Sequence, residues 1–322
     1  MLAAGSPRLV LITGAAGNLG GMLARHLLPS GLALRLMWHR RPLGPDLVRC
    51  ANVTAVQADL SDSATLAPAL SGVDTIVHFA GVLFAPRPER FLPETNTRWF
   101  DNLVTVALDA RVARLILVSF PHVEGPTSRD APATGRLDRE PVSAHARTRL
   151  AEENLLFERT KGTATTPVVL RLGMVYGRGV LMIEAARWLA THRLLAVWRH
   201  PTWIQLISTL DFLRAAEAAI MQPEVSGTYH LGDERPVTLQ QFLDVACEQW
   251  GCARPYRLPV WTIMIAASLC ELAALVARKP SPLTRDFIRI GRVGYWGDTR
   301  RMREQLLATL AHPTLESGRE TL

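Results

Sequence analysis

The sequence predicts an α/β fold in which a doubly wound parallel sheet is joined to a smaller, mainly helical C-terminal region. Three observations carry this expectation. Short apolar runs alternate with segments of helical length through the first half of the chain, as they do where strands are buried on both faces between crossover helices. A glycine-rich turn, Thr13-Gly14-Ala15-Ala16-Gly17-Asn18-Leu19-Gly20, joins the first apolar run to the first helical segment. Hydrophobic residues are 48% and charged residues 20% of 322, enough for a large core in one large or two intimate domains.

The elements follow in order. Residues 8–13 form a mostly apolar run that ends at glycine, the pattern of a buried parallel strand. Residues 19–28 read as helix, and 33–38 and 53–57 as the next strands. A short helix at 62–70 has Ser61 or Asp62 available as its cap. Strand 75–79, helix 94–110 and strand 115–119 continue the alternation. A polar, proline-rich loop then runs to Pro141, before a long helix at 143–159 and a strand at 168–172. The second half is less regular, with helices expected at 181–191, 211–221, 239–249, 260–277 and 299–307 and short strands at 205–208 and 228–231. There is no internal repeat and no linker. The division expected is 1–178 for the sheet domain and 179–322 for the second region, with 204–235 returning to the core of the first.

The glycine turn has a chemical reading. Gly14 permits the tight turn, Gly17 lets backbone N–H groups approach a pyrophosphate, and Gly20 lets the helix lie close on the strand. The helix N-terminus favours the phosphates electrostatically. A nicotinamide dinucleotide is therefore the expected cofactor. The residue after the second strand selects between NAD and NADP. Here the chain reads Trp38-His39-Arg40-Arg41-Pro42 with no acid, and adjacent arginines suit a 2′-phosphate. NADP is expected, with NAD the second choice.

Charge and cysteine usage narrow the rest. The formal net charge is +7, almost all from arginine, since Lys161 and Lys279 are the only lysines. The arginines are spread and not interleaved with aromatics, which argues against nucleic acid. A phosphorylated ligand or an acidic membrane surface suits the charge better. Cys50, Cys247, Cys252 and Cys270 lack metal-ligand spacing, so no metal is expected and free thiols in a reducing compartment are. The N-terminus runs into the first strand without the pattern of a secretory signal. A cytoplasmic protein is expected, with membrane association as the variant.

Several segments together resemble an atypical extended short-chain dehydrogenase/reductase of the NAD-dependent epimerase/dehydratase type, over nearly the full length. The Thr13–Gly20 turn is complete, and Asp59-Leu60 matches the family pair that contacts adenine. His78-Phe79-Ala80-Gly81 resembles the loop lying against the cofactor, and Asn96 and Asn102 match polar positions of the next helix. Leu170-Arg171-Leu172-Gly173-Met174-Val175-Tyr176-Gly177 resembles the segment beside the nicotinamide. Asp211 stands where the family signature begins a helix, and the tail from His312 to Leu322 resembles its closing stretch. The resemblance implies a Rossmann-type domain and a cofactor site of Gly14, Ala16, Gly17, Asn18, Leu19, Gly20, His39, Arg40, Asp59, Leu60, Phe79, Ala80, Gly81, Asn96, Arg149, Leu172 and Val175.

The departures fall on the chemistry. The family uses a tyrosine as acid/base, a lysine four residues later, and a Ser or Thr after the fifth strand. His145 and Arg149 stand at the first two places; Phe120 occupies the third, with Ser119 before it and His122 two residues after it. A histidine can move a proton near neutrality, although a neighbouring guanidinium depresses its pKa. Arginine can still hold ribose hydroxyls but is bulkier than lysine. Ser119 polarises a carbonyl only if the loop shifts by one position, and His122 is a second candidate acid. Trp99 replaces a family glycine near the cofactor.

The function expected is an atypical reductase or epimerase acting on a hydrophobic or phosphorylated small molecule, with His145, Arg149 and Ser119 as catalytic candidates. The alternative is a non-catalytic NADP(H)-binding scaffold or redox sensor. Residues 258–277, nearly all apolar, are expected to line or lid the substrate pocket. Shallow membrane contact is the second reading and a true span the third. Trp188, Trp198, Trp203, Trp250, Trp261 and Trp296 all lie in this half. Arg285, Arg289 and Arg292 share helical spacing, followed by Arg300, Arg301 and Arg303; the face is either a site for phosphates or lipid headgroups, or simply solvated. A homodimer through the helix bearing His145 is an option that the resemblance carries and the sequence leaves open.

Overall fold

Seven parallel strands build the centre of the molecule, and their order brings the functional segments to one edge. The computed structural model describes residues 8–81, 88–277, 281 and 283–322. The chain begins β1 (Leu9–Thr13), α1 (Asn18–Leu27), β2 (Ala33–Trp38), α2 (Pro45–Val48), β3 (Val53–Gln57), α3 (Ser63–Leu70) and β4 (Thr75–His78). One turn of wider helix at Pro93–Arg98 leads into α4 (Trp99–Asp109), where the sequence had suggested one α-helix from residue 94. β5 (Arg114–Ser119), α5 (Ala144–Thr160), β6 (Thr166–Leu172) and β7 (Met174–Tyr176) follow.

The second half comprises α6 (Leu181–Thr191), β8 (Ala196–Trp198), β9 (Trp203–Ile204), β10 (Leu206–Ser208), α7 (Thr209–Met221), β11 (Gly227–Leu231), β12 (Val237–Thr238) and α8 (Leu239–Gln249). It ends with β13 (Tyr256–Leu258), α9 (Val260–Ala277), α10 (Arg285–Gly291), α11 (Arg300–Gln305) and α12 (Leu315–Gly318). Three details differ from the sequence reading. α7 starts at Thr209 because the Ser208 side chain caps it, so Asp211 is inside the first turn. α11 is shorter than 299–307. The expected 205–208 strand is two short pieces on different partners: β10 pairs with β7 and β9 with β12.

The sheet order is β11-β6-β5-β4-β1-β2-β3, all parallel. Alternation along each strand sends Val10, Ile12, Leu34, Leu36, Val168 and Leu170 to a core shared with α1 and α7. Leu11, Met37, Ile76, Leu115 and Leu117 go to the other face, under α3, α4 and α5. The strand order reverses between β1 and β4, which opens a crevice at their carboxyl ends.

A buried ion network ties this edge together. Arg171, on β6, is fully buried. Its Nη2 donates to Glu153 on α5 at 2.6 Å, and its Nη1 to Glu124 after β5. Glu124 also accepts backbone N–H groups of Gly135 at 2.7 Å and Arg136 at 3.1 Å, which holds the polar loop before α5. Burial pushes Glu124 up, but His230, Arg171 and the Gly135 N–H outweigh it and hold the carboxyl down at about 2. Asp211, also buried, accepts the N–H groups of Ala311 and His312 at 2.6 and 2.9 Å and fastens the C-terminal tail.

Asp233, just beyond β11, is buried, and among the described residues neither carboxylate oxygen has a hydrogen-bond partner. Burial, reinforced by Glu316 and Glu234, pushes it up to about 8.

Two outcomes are expected. Arg171→Met strands two buried carboxylates and lowers unfolding free energy in urea by about 3–5 kcal/mol; a loss below about 1 kcal/mol, the scale of a surface pair, contradicts this. For Asp233, the native state holds a proton between the ordinary carboxylate pKa and about 8 that the unfolded chain has released. Stability from this group therefore falls as pH rises through that window and levels off above it. Asp233→Asn should flatten this fall, so that its melting temperature gains on the parent at pH 8 and not at pH 4; an equal difference at both pH values contradicts the account.

Candidate active site

The glycine turn forms the floor of the crevice. Gly14 has φ +67°, and the Gly17 N–H donates to the Gly14 carbonyl at 2.8 Å. A Cβ on Gly20 would stand 2.5 Å from the Gly14 oxygen, and one on Gly17 would stand 2.9 Å from it. Only glycine lets α1 start this close to the turn. α1 opens with no side-chain cap and no acid in its first turn, so its leading N–H groups stay available to an anion.

Above this floor is a cavity of about 290 Å³. Gly14, Ala16, Gly17, His39, Arg40, Asp59, Leu60, Ala80 and Gly81, all among the expected cofactor residues, line it. Met37, Trp38, Arg41, Ala58, Thr95 and Trp99 complete the wall. Trp99 stands out in the sequence only as a departure from the family glycine, and Thr95 carries no signal there, because the wide helical turn that brings it to the wall is not legible as a pattern. Asp59 sits 3.1 Å from the His39 imidazole. Burial raises its carboxyl, but the N–H and hydroxyl of Ser61 and the His39 and Arg40 charges together outweigh it and hold the carboxyl below its usual value. Arg40 and Arg41 are exposed at the rim and have no ion pair among the described residues. Small apolar walls, a glycine floor and a cationic rim fit a dinucleotide.

Other expected cofactor residues take different places. Asn18 binds the loop before α6, donating to Gly179 O at 2.7 Å and accepting from Leu181 N at 2.9 Å. Leu19 and Gly20 lie outside the cavity wall. Phe79 packs edge-on against Phe212. Asn96 is buried beside Thr95. Leu172 and Val175 are buried in the core and do not line the cavity.

Of the acid/base positions, Arg149 borders this cavity through Gly81, and His145 is one helical turn before it on α5. Ser143 caps α5 by accepting the Ala146 N–H at 3.1 Å, which puts His145 in the first turn. His145 is 2% exposed and meets the Phe120 ring edge-on at 5.0 Å. Phe120 stacks on His122 at 4.5 Å, and His122 contacts Tyr295 at 4.5 Å. Arg149 donates to Glu152 at 2.6 Å, and its guanidinium covers Gly81, where a Cβ would be 2.5 Å from Nη2. Arg149 therefore touches the cofactor loop.

Three catalytic expectations change in consequence. Burial, then Arg149 and His122, push His145 down to about 3, so it is a neutral imidazole at pH 7 and not an acid that titrates near neutrality. His122, buried with Nε2 donating to the Val293 carbonyl at 3.1 Å, is pushed down to about 4 and is likewise neutral. Ser119 ends β5 with its hydroxyl donated to Glu153, inside the Arg171 network, so it does not shift towards the cleft to polarise a carbonyl.

The profile of the NAD dependent epimerase/dehydratase family matches residues 10–214. The chain belongs to that family. Among curated relatives of this epimerase/dehydratase chain is the 4-hydroxy-2-methyl-3-oxo-4-farnesyl-3,4-dihydroquinoline-1-oxide ketoreductase of Stigmatella aurantiaca, 25% identical over 291 residues, 85% of this chain and 84% of the relative. Among solved structures, MoeE5 in complex with UDP-glucose and NAD superposes with a TM-score of 0.75 at 21% identity over 97% of this chain and 96% of its own. The UDP-glucose 4-epimerase of Thermotoga maritima reaches 0.76 at 16% identity over 97% and 96%. These two likenesses show the shared fold, and the family match adds a nicotinamide dinucleotide site to it.

Gly20→Val tests the floor of that site. The added side chain displaces α1 from the turn, and dinucleotide affinity should fall by at least about tenfold, the equivalent of 1.4 kcal/mol, in a nicotinamide fluorescence titration. Unchanged affinity contradicts the placement.

Proposed function

We propose that this chain is an NADP(H)-dependent oxidoreductase, with an epimerase the nearest variant, acting on a carbonyl of a hydrophobic or phosphorylated small molecule. In it His145 stands in for the family's tyrosine as a neutral hydrogen-bond donor. The observation that carries this reading is the placement of His145 and Arg149. They are one helical turn apart on α5, and Arg149 covers Gly81 in the wall of the nucleotide cavity. The unpaired Arg40 and Arg41 at the rim support NADP over NAD, since a bidentate guanidinium suits a 2′-phosphate. The name of the Stigmatella relative, a ketoreductase of a farnesylated ring, supports an apolar substrate.

When bound, NADPH supplies the hydride. The chain's own part is electrostatic. A neutral imidazole N–H donates a hydrogen bond to the carbonyl oxygen and to the alkoxide charge that grows on it, a low pKa keeps the ring from taking up a second proton, and the alkoxide takes its proton from solvent to give the alcohol. Arg149, held by Glu152, fixes the position of the cofactor loop. Phe120 excludes water from one side of the imidazole.

A second reading has its own support: Ser119 and Arg149 are both engaged by buried carboxylates, and Phe120 fills the serine place. That constellation suits a chain that binds NADP(H) without turnover, as a scaffold or redox sensor.

The experiment is a titration of purified protein with NADPH and NADH, followed by NADPH oxidation against a panel of apolar ketones and sugar nucleotides. The expected result is tighter binding of NADPH and oxidation with a ketone, at a rate that does not decline as pH rises through about 6.5, where an imidazolium acid is lost. His145→Ala should lower kcat about 10²-fold or more, the range for loss of one hydrogen bond to a developing oxyanion, and leave NADPH binding intact. Tight binding without oxidation of NADPH by any substrate selects the scaffold reading.

A further inference from the structure

α9 is apolar over most of its circumference, yet the protein covers only one side of it. Its inner face is anchored: Ala267 is fully buried, and Val260, Ile263 and Met264 pack against the main core. Trp261, Ile265, Leu269, Leu272 and Val276 recur at three- and four-residue spacing on the opposite side. Trp261 is 65% exposed, Leu269 62% and Val276 79%. At the entry to the helix, β13 carries the exposed Tyr256, whose N–H donates to Leu195 beside the exposed Leu194. A stripe of this length is far from a scattering of single exposed residues.

Exposed arginines follow the stripe on α10. Glu271 of α9 accepts both the backbone N–H of Arg285, at 2.8 Å, and its Nε, at 2.9 Å, which docks α10 against the side of the helix. Arg289 and Arg292 continue from Arg285 at i+4 and i+7, while Asp286, Ile288 and Ile290 face inward. Both arginines are exposed and without an ion pair among the described residues. Arg193 and Arg254, next to Leu194 and near Tyr256, are exposed and unpaired in the same sense.

We propose that α9 and the arginine row of α10 form a docking surface for an anionic lipid bilayer. The stripe beds into the headgroup region, Trp261 and Tyr256 sit at its boundary, and the arginines meet lipid phosphates. The helix lies on the membrane and does not cross it. Among the described residues it is the one helix long and apolar enough to span, but its buried inner face and the Glu271–Arg285 pair hold it along the body of the protein. Charge also decides against a second copy of this chain. A two-fold interface sets the same patch against itself and gathers two sets of unpaired arginines, whereas an anionic membrane supplies their counter-charge.

The test is co-sedimentation of the full chain with phosphatidylcholine vesicles and with phosphatidylcholine–phosphatidylglycerol vesicles, alongside light scattering for oligomeric state. Binding is expected to the mixed vesicles and to weaken as salt is added. Leu269→Glu with Leu272→Glu should reduce partition by roughly a hundredfold, the loss expected from two buried leucines. Arg289→Gln with Arg292→Gln should reduce it by roughly tenfold or more on the anionic vesicles. All variants should bind NADPH as the parent does, since these side chains lie outside the nucleotide cavity. No binding to either vesicle overturns the proposal. So does a leucine variant that sediments like the parent, or a dimer that the leucine variant dissolves while the parent ignores vesicles.

Discussion

The pairing of Arg171 with Glu153 inside the sheet edge sets the position of α5, and with it everything adjacent to the nucleotide cavity. Charges this deep persist only when each finds a partner. Arg171 meets that demand by reaching across three segments at once: Glu153 on α5, Glu124 after β5 and, through Nη2 at 3.0 Å, the Arg136 carbonyl in the loop before α5. Ser119 joins by donating to the same Glu153. One guanidinium thus fixes the register of a helix, the end of a strand and a polar loop. Neighbouring Glu152, raised by burial, keeps Arg149 over Gly81. The first turn of α5 cannot slide without breaking both pairs.

That rigidity explains why His145 differs so much from a histidine in water. Its ring lies between Phe120 and the helix, near Arg149 and His122, so a second proton would be both poorly hydrated and repelled. The environment that usually lowers a tyrosine's pKa instead keeps an imidazole neutral. The residue type has changed, but the local positive charge that acts on it has been retained, in the form of arginine for lysine. A neutral donor polarises a carbonyl without itself changing charge, and solvent then supplies the proton that a phenol would have given.

Much of the fold was legible because strand and helix periods in the first half are clean and the glycine turn falls between a strand and a helix. The glycine turn and the Asp59, Ala80 and Gly81 wall of the cavity were legible for the same reason: local spacing determines them. Trp38, Arg41 and Thr95 as wall residues were not, since they are brought there by a strand end and by one widened helical turn. Ser119 could not be judged from spacing, because its fate depends on Glu153, thirty-four residues away. The burial of His145, and hence its charge, is also a long-range property. The length and apolarity of α9 were plain in the sequence, whereas which side the protein covers is a matter of tertiary packing. The side left open is the one that gives the helix a further role.

The measurement that bears most directly on this account is the protonation state of His145, followed by ¹⁵N-histidine NMR with His145→Gln as the assignment control. The account predicts a neutral imidazole throughout the neutral range, protonating only towards the low pH that corresponds to a pKa of about 3, and a resonance that shifts when NADPH is added. An imidazolium at pH 6, or a resonance indifferent to the nucleotide, would contradict it.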